Sequence, residues 1–139
     1  MIFWDSSALA PLLVAEADSL ERETQLRFDP RMLVWYGTRA EIESALMRRK
    51  REGLLDAAAE SLARKRLSFL EKAWVEVAPT TQVRDRALRL LRTHPLRAAD
   101  AFQLAAALVA CAERTTGWRF RTGDVRLRSA AEAEGFLVD

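Results

Sequence analysis

The chain has 139 residues, half of them hydrophobic, with 22 Lys and Arg against 20 Asp and Glu and a formal net charge of +2. That length suits a single domain spanning residues 1–139 that buries its core without staples, and one Cys with one His excludes both a disulfide framework and a Cys/His zinc cluster. No charged-then-apolar leader and no apolar run of about 18 residues is present, so the expectation is a soluble cytoplasmic protein with no membrane partner.

Ile2-Phe3-Trp4 is a short apolar run, followed by Asp5-Ser6-Ser7 and a second apolar segment from Ala8 to Val14. This predicts a strand, a cap and a helix, with Ser6 or Ser7 as the cap and Pro11 in the first turn of a helix that begins late. Asp5 then stands at the carboxyl end of the opening strand, where open α/β sheets bind ligands. Glu16 to Phe28 reads as a helix broken by Asp29-Pro30, and Met32 to Tyr36 as a buried strand ended by Gly37.

Thr38-Arg39-Ala40-Glu41 matches a capping box, in which hydroxyl and carboxylate satisfy each other's backbone donors. Periodicity does not decide whether Glu41 or Glu43 faces inward. Arg48-Arg49-Lys50-Arg51 closes that helix, as a solvated face or as a surface for a polyanion or a protein partner. Leu54 to Ala73 is a further helix, with Leu55, Ala59, Leu62, Phe69 and Ala73 in register as core or as a partner surface. Val75 and Val77 suggest a short strand, and Thr80 or Thr81 caps a helix running to Thr93-His94-Pro95.

From Ala98 to Ala112 the only strongly polar side chains are Asp100 and Gln103, which predicts a buried helix carrying a carboxylate that needs a partner. The single Cys111 lies at its end as a packed small hydrophobe. Trp118 to Thr122 alternates as a half-buried strand does, Val125 to Gly135 is helical with Gly135 at the C-cap, and Phe136 to Val138 is a last strand. Strands alternating with helices predict an α/β fold: a central parallel sheet flanked by helices on both faces.

Asp5, Glu41, Asp100 and Asp124 share one address, at or just inside a predicted helix N-terminus, and a parallel sheet gathers such positions on one edge. Four acids on that edge repel one another unless a hard divalent cation relieves them, and oxygen-only ligands suit Mg²⁺ or Mn²⁺. A carboxylate-held ion of that kind supports phosphoryl chemistry, with arginines nearby for a polyanion.

The same residues resemble a known family. Asp5-Ser6-Ser7-Ala8-Leu9 resembles the D-[TS]-S-A-L opening of PIN domains, and Arg39-Ala40-Glu41-Ile42-Glu43-Ser44-Ala45-Leu46 their R-x-E-x-x-S-A-L segment. Leu96-Arg97-Ala98-Ala99-Asp100-Ala101-Phe102-Gln103-Leu104-Ala105 is similar to L-R-x-x-D-A-x-x-L-A, and Thr122-Gly123-Asp124 with Leu127 and Ala131 to T-x-D-x-x-L-x-x-x-A. The resemblance implies a PIN-like fold over the whole chain. It also implies, as in VapC-type toxins, a Mg²⁺- or Mn²⁺-dependent endoribonuclease that dimerises with a second copy and is silenced by a cognate antitoxin. Carried over by position, Asp5, Glu41, Asp100 and Asp124 are the metal-holding acids and Ser7 an auxiliary catalytic hydroxyl, while Glu43 falls on a variable position. Metal-activated water would cleave RNA to a 5′-phosphate and a 3′-hydroxyl. The rival expectations are a PIN nuclease of housekeeping RNA processing without an antitoxin, a non-catalytic RNA- or protein-binding module, and a phosphoacceptor signalling domain.

Overall fold

The computed structural model describes residues 1–139. Five strands, β1 (Ile2–Trp4), β2 (Leu33–Trp35), β3 (Val75–Val77), β4 (Arg119–Arg121) and β5 (Leu137–Val138), form one sheet in the order β3-β2-β1-β4-β5. Every pairing is parallel. Seven helices accompany them: α1 (Ser6–Leu13), α2 (Ser19–Phe28), α3 (Thr38–Arg51), α4 (Ala57–Ala73), α5 (Thr81–Thr93), α6 (Ala98–Ala110) and α7 (Val125–Ala133). This is the parallel α/β architecture expected from the alternation of elements.

The central strands are apolar throughout because both their faces are buried. Alternation along β1 sends Ile2 and Trp4 into a core shared with α1, α3 and α4, and Phe3 into a second core with α5, α6 and α7. Phe3 stacks on Phe120 at 5.1 Å, and Phe102 of α6 stacks on Trp35 of β2 at 5.5 Å, which seats α6 against the sheet. Chain order and strand order reverse between β1 and β4: the chain runs outward from β1 to β3, then returns to β4 on the other side of β1. The carboxyl ends of those two strands therefore flank a crevice, the usual ligand position in such sheets.

Several local expectations change. Asp5, not a serine, caps α1, accepting the Ser7 N–H at 3.3 Å, so Ser6 and Ser7 are the first helical residues and Pro11 lies in the second turn. The capping box does not form. Gly37 is the cap of α3, without a side-chain bond; Thr38 is fully buried and accepts a hydrogen bond from Gln103 Nε2 at 3.0 Å. Tertiary partners on α6 outcompete the local backbone donors. Of the stripe proposed for α4, Leu62 and Phe69 are 48% and 73% exposed, and the buried positions are Ala63, Leu67 and Leu70 instead. His94 is the C-cap residue of α5, and its ring pairs with Glu134 at 3.0 Å. Gly135 follows α7 at φ +98°, a left-handed geometry suited to glycine, with the Phe136 N–H closing back onto the Ala131 carbonyl.

Helix α6 is the densest part of the core, with Ala101 and Leu104 to Ala107 all at 0% exposure. Leu104→Ala should therefore cost about 2 to 5 kcal/mol in urea unfolding. A loss below about 1 kcal/mol would show that this helix does not anchor the second core.

Candidate active site

Asp5 leaves the end of β1 and is 3% exposed. Its Oδ2 accepts hydrogen bonds from the Ser7 hydroxyl and from Thr122 Oγ1, the latter at 2.9 Å, and its own backbone N–H donates to the Arg121 carbonyl at 2.9 Å. The aspartate is thereby locked between β1 and β4. Thr122 also accepts the Asp124 N–H at 3.0 Å, and Ser7 Oγ accepts the Gly123 N–H at 2.9 Å, so the loop after β4 is tied to the first turn of α1. Asp124 caps α7, accepting the Leu127 N–H at 2.8 Å.

Glu41 enters from the first turn of α3. Gln103 Nε2 donates to its Oε2 at 2.7 Å, and the Ser6 hydroxyl donates to its Oε1 at 3.2 Å; the same hydroxyl lies 3.4 Å from Asp5 Oδ1. Ser6 thus stands between two of the acids, while Ser7 faces the Asp5–Thr122 side. Asp100, in the first turn of α6, completes the set. Glu43 lies elsewhere: Arg64 of α4 grips both its oxygens at 2.9 and 3.1 Å, and this pairing draws its pKa down.

Ser6, Ser7, Glu41, Asp100 and Asp124 line one open cavity of about 780 Å³, with Asp5 buried just beneath its floor. Arg97 and Arg126 enter its wall from the α6 and α7 side, Arg48 and Arg49 from farther along α3. The basic run ending α3 is therefore divided: Arg49 pairs with Glu16 beside the cavity, whereas Lys50 turns to Glu60 of α4 at 3.0 Å.

The electrostatics record crowding. Burial raises the pKa of Asp5, against the opposing hydrogen bonds from Ser7 and Thr122. Glu41 is pushed up to about 7, first by burial and further by the charges of Asp5 and Asp100, although Gln103 and Ser6 donate to it. Asp100 rises through burial and through the charges of Asp124 and Asp5, partly offset by Arg97. Glu41 and Asp100 are penalised by neighbouring charges as well as by burial, and Asp5 by burial alone, as expected where carboxylates converge in a partly dry site. The donor set is oxygen-only and self-repelling, chemistry that fits a hard divalent cation. As the side chains stand, no three His, Cys, Asp or Glu residues form a ready ligand group, and Oδ2 of Asp5 and Oε2 of Glu41 are engaged by protein donors. Oδ1 of Asp5, with only the 3.4 Å contact from Ser6, is the oxygen left to a cation while Oδ2 stays tied.

Two residues that position these acids escaped the sequence reading. Gln103 is fully buried and links Thr38 to Glu41; its signal was an amide one helical turn from Asp100 in an otherwise apolar helix. Thr122 is also fully buried and joins Asp5 to the Asp124 backbone. It lay in a recognised motif without a role.

By sequence the chain matches no protein-family model and no curated protein. By structure it is similar to PAE2754 from Pyrobaculum aerophilum, with a TM-score of 0.68 and 17% identity over 99% of this chain and 87% of that one. It is likewise similar to FitAcB from Neisseria gonorrhoeae, with a TM-score of 0.65 and 15% identity over 99% of this chain and 96% of that one. The class defined in this way is a PIN-like α/β fold. At these identities the likeness defines the fold alone.

Glu41 gives the metal-free protein a pH signature. Its folded pKa of about 7 exceeds the ordinary 4.5, so between those values the folded state binds more protons than the unfolded one and stability falls as pH rises. In EDTA, wild type should therefore lose melting temperature relative to Glu41→Gln as pH climbs from 4.5 to 7, with the difference flat above. Parallel curves across that window would show that Glu41 titrates normally.

Proposed function

We propose that the chain is a metal-dependent endoribonuclease and the toxin of a toxin–antitoxin pair, acting as a homodimer on RNA. The observation that carries this reading is the convergence of Asp5, Glu41, Asp100 and Asp124, from four separate elements, around one cavity whose wall also holds arginines. The PIN-like fold and the four motifs that resemble PIN domains point the same way.

Those four acids are the residues to hold Mg²⁺ or Mn²⁺. When bound, such an ion supplies charge neutralisation for the phosphodiester and acidifies the attacking water. The protein's own groups do the rest. Arg97 and Arg126 on one side, with Arg48 and Arg49 on the other, hold the phosphate backbone across the cavity. Gln103 donates to Oε2 of Glu41 and Ser6 to Oε1, which together fix the orientation of that carboxylate at the cavity. Thr122 and Ser7 hold Asp5 in one orientation, so that it does not have to be ordered when substrate arrives. The products expected are a 5′-phosphate and a 3′-hydroxyl.

The test is expression with and without the adjacent small gene, followed by mapping of RNA ends. Growth arrest with new 5′-phosphate ends, relieved by the neighbouring product, is expected. Cleavage in vitro should stop in EDTA, and Asp5→Asn or Asp100→Asn should lower it by several orders of magnitude, since placement of charge and water carries most of the rate. Glu43→Gln should matter far less than Glu41→Gln. Cleavage that persists in excess EDTA would overturn the metal mechanism; arrest that the neighbouring product does not relieve would leave a nuclease without an antitoxin.

A further inference from the structure

On the face of the sheet covered by α1 to α4, polarity changes abruptly between neighbouring strands. In β1 this face carries Ile2 and Trp4; directly opposite them in β4 stand Arg119 and Arg121, while Phe120 points to the other core. Arg121 is 3% exposed and lays its guanidinium over the Trp4 ring, 4.7 Å from the centroid. Arg22 of α2 is equally buried and donates from Nη2 to the carbonyl of Thr122, the residue after Arg121.

Three buried side-chain polar atoms in the whole chain lack a hydrogen-bond partner: Trp4 Nε1, Arg22 Nε and Arg121 Nη1. All three are donors, and all three belong to this contiguous group. Unpaired buried donors are rare in folded proteins and call for an acceptor. The carboxylates nearby are already engaged. Asp139 accepts from Arg121 Nε at 3.1 Å and from Arg119 Nη1 at 3.0 Å, Asp29 holds Arg31 at 2.7 Å, and Asp18 Oδ2 lies 3.6 Å from Arg22 Nε itself, an ion pair beyond hydrogen-bond reach. Burial lowers the pKa of Arg121 against its pairing with Asp139, and the positive charges of Arg119 and Arg22 add to that lowering.

Of these three residues Arg121 lines a second cavity of about 460 Å³, which shares no lining residue with the acid cavity; Trp4 and Arg22 lie behind it. Arg31, Arg119 and Arg121 line it together with their partners Asp29 and Asp139, with Thr24 and Gln25 of α2 as further polar groups and the 90% exposed Phe28 at its rim. We propose that this cavity between α2 and β4 is an anion site for a phosphate group, free or terminal on a nucleotide. The lining arginines arise from β4 and from the loop between α2 and β2, so an anion with acceptor oxygens on several sides suits them better than a planar carboxylate. Arginine forks match phosphate oxygens in pairs. Phe28 offers an aromatic face on which a base attached to that phosphate can stack.

The test titrates inorganic phosphate into the protein in EDTA, with ionic strength held constant by chloride, and reads melting temperature and tryptophan emission. EDTA keeps a cation from recruiting phosphate to the acids, so the result is independent of the proposed nuclease activity. Wild type should show a saturable rise in melting temperature that chloride does not reproduce. Arg119→Gln, an exposed position, should weaken the apparent Kd about tenfold, the loss typical of one charged hydrogen bond, and Arg121→Lys should weaken it further. If Arg121→Lys does not fold, Arg119→Gln alone decides. Arg97→Gln/Arg126→Gln, which strips basic groups from the acid cavity, should keep the response. An equal effect of chloride and phosphate, or a response lost in Arg97→Gln/Arg126→Gln and kept in Arg119→Gln, would overturn the proposal. Competition by a 5′-phosphorylated oligonucleotide but not by its 5′-hydroxyl counterpart would assign the site to a nucleic-acid end; no competition by either would assign it to free phosphate.

Discussion

A carboxylate buried at the end of the central strand constrains much of what surrounds it. Asp5 sits where the strand order of the parallel sheet reverses, is 3% exposed, and is kept there by two hydroxyls and by a backbone bond to β4. Burial of a charged carboxylate is costly unless donors or charge compensate. Ser7 comes from the helix that follows β1, and Thr122 from the loop that follows β4, so the two strand ends must stay in register for Asp5 to remain satisfied. The same loop delivers Asp124, and the core that seats α6 through Phe102 and Trp35 delivers Asp100. Folding therefore assembles charges that repel each other, and the hydrophobic cores on both faces of the sheet supply the free energy that holds them together.

The surroundings of the acids show how the fold divides the work. Glu41 is held by an amide that has no charge of its own to contribute, which fixes its orientation without cancelling its repulsion from Asp5 and Asp100. Glu43, two residues away, is drawn to Arg64 and removed from the site. Arginines approach the cavity from the outside and leave its acidic floor exposed to a cation. A polyanion and a divalent ion can thus share the cavity, each facing the charge that suits it. In the cavity between α2 and β4 the balance reverses: three arginines face two carboxylates there, and the proposed ligand is an anion.

Much of this was legible in the chain. Short apolar runs separated by amphipathic segments mark all five strands, and the position of each acid at a helix start predicts four carboxylates on one edge. Boundaries and partners were harder. Thr38 and Glu41 have the spacing of a capping box, yet both turn to Gln103, because a partner 65 residues away in sequence lies closer than the local backbone donors do. Leu62 and Phe69 have core periodicity but face outward, since hydrophobic spacing identifies a face of a helix without stating what covers it. The role of Arg121 was invisible for a related reason. An alternating strand announces that one face is polar, but only the register of β4 beside β1 reveals that the polar face is buried against Trp4.

The central claim is that the four acids crowd one site and are relieved by a cation, and thermal melting of wild type and Asp100→Asn, each in EDTA and in Mg²⁺, tests it without knowledge of the substrate. Crowding predicts that the neutral variant is at least as stable as wild type in EDTA, because one repelling charge is gone. It also predicts that Mg²⁺ stabilises wild type far more than the variant, by roughly 2.7 kcal/mol at a hundredfold excess over Kd. A variant less stable than wild type in EDTA, with no Mg²⁺ effect on either protein, would mean that Asp100 serves only its helix terminus, and would contradict the account.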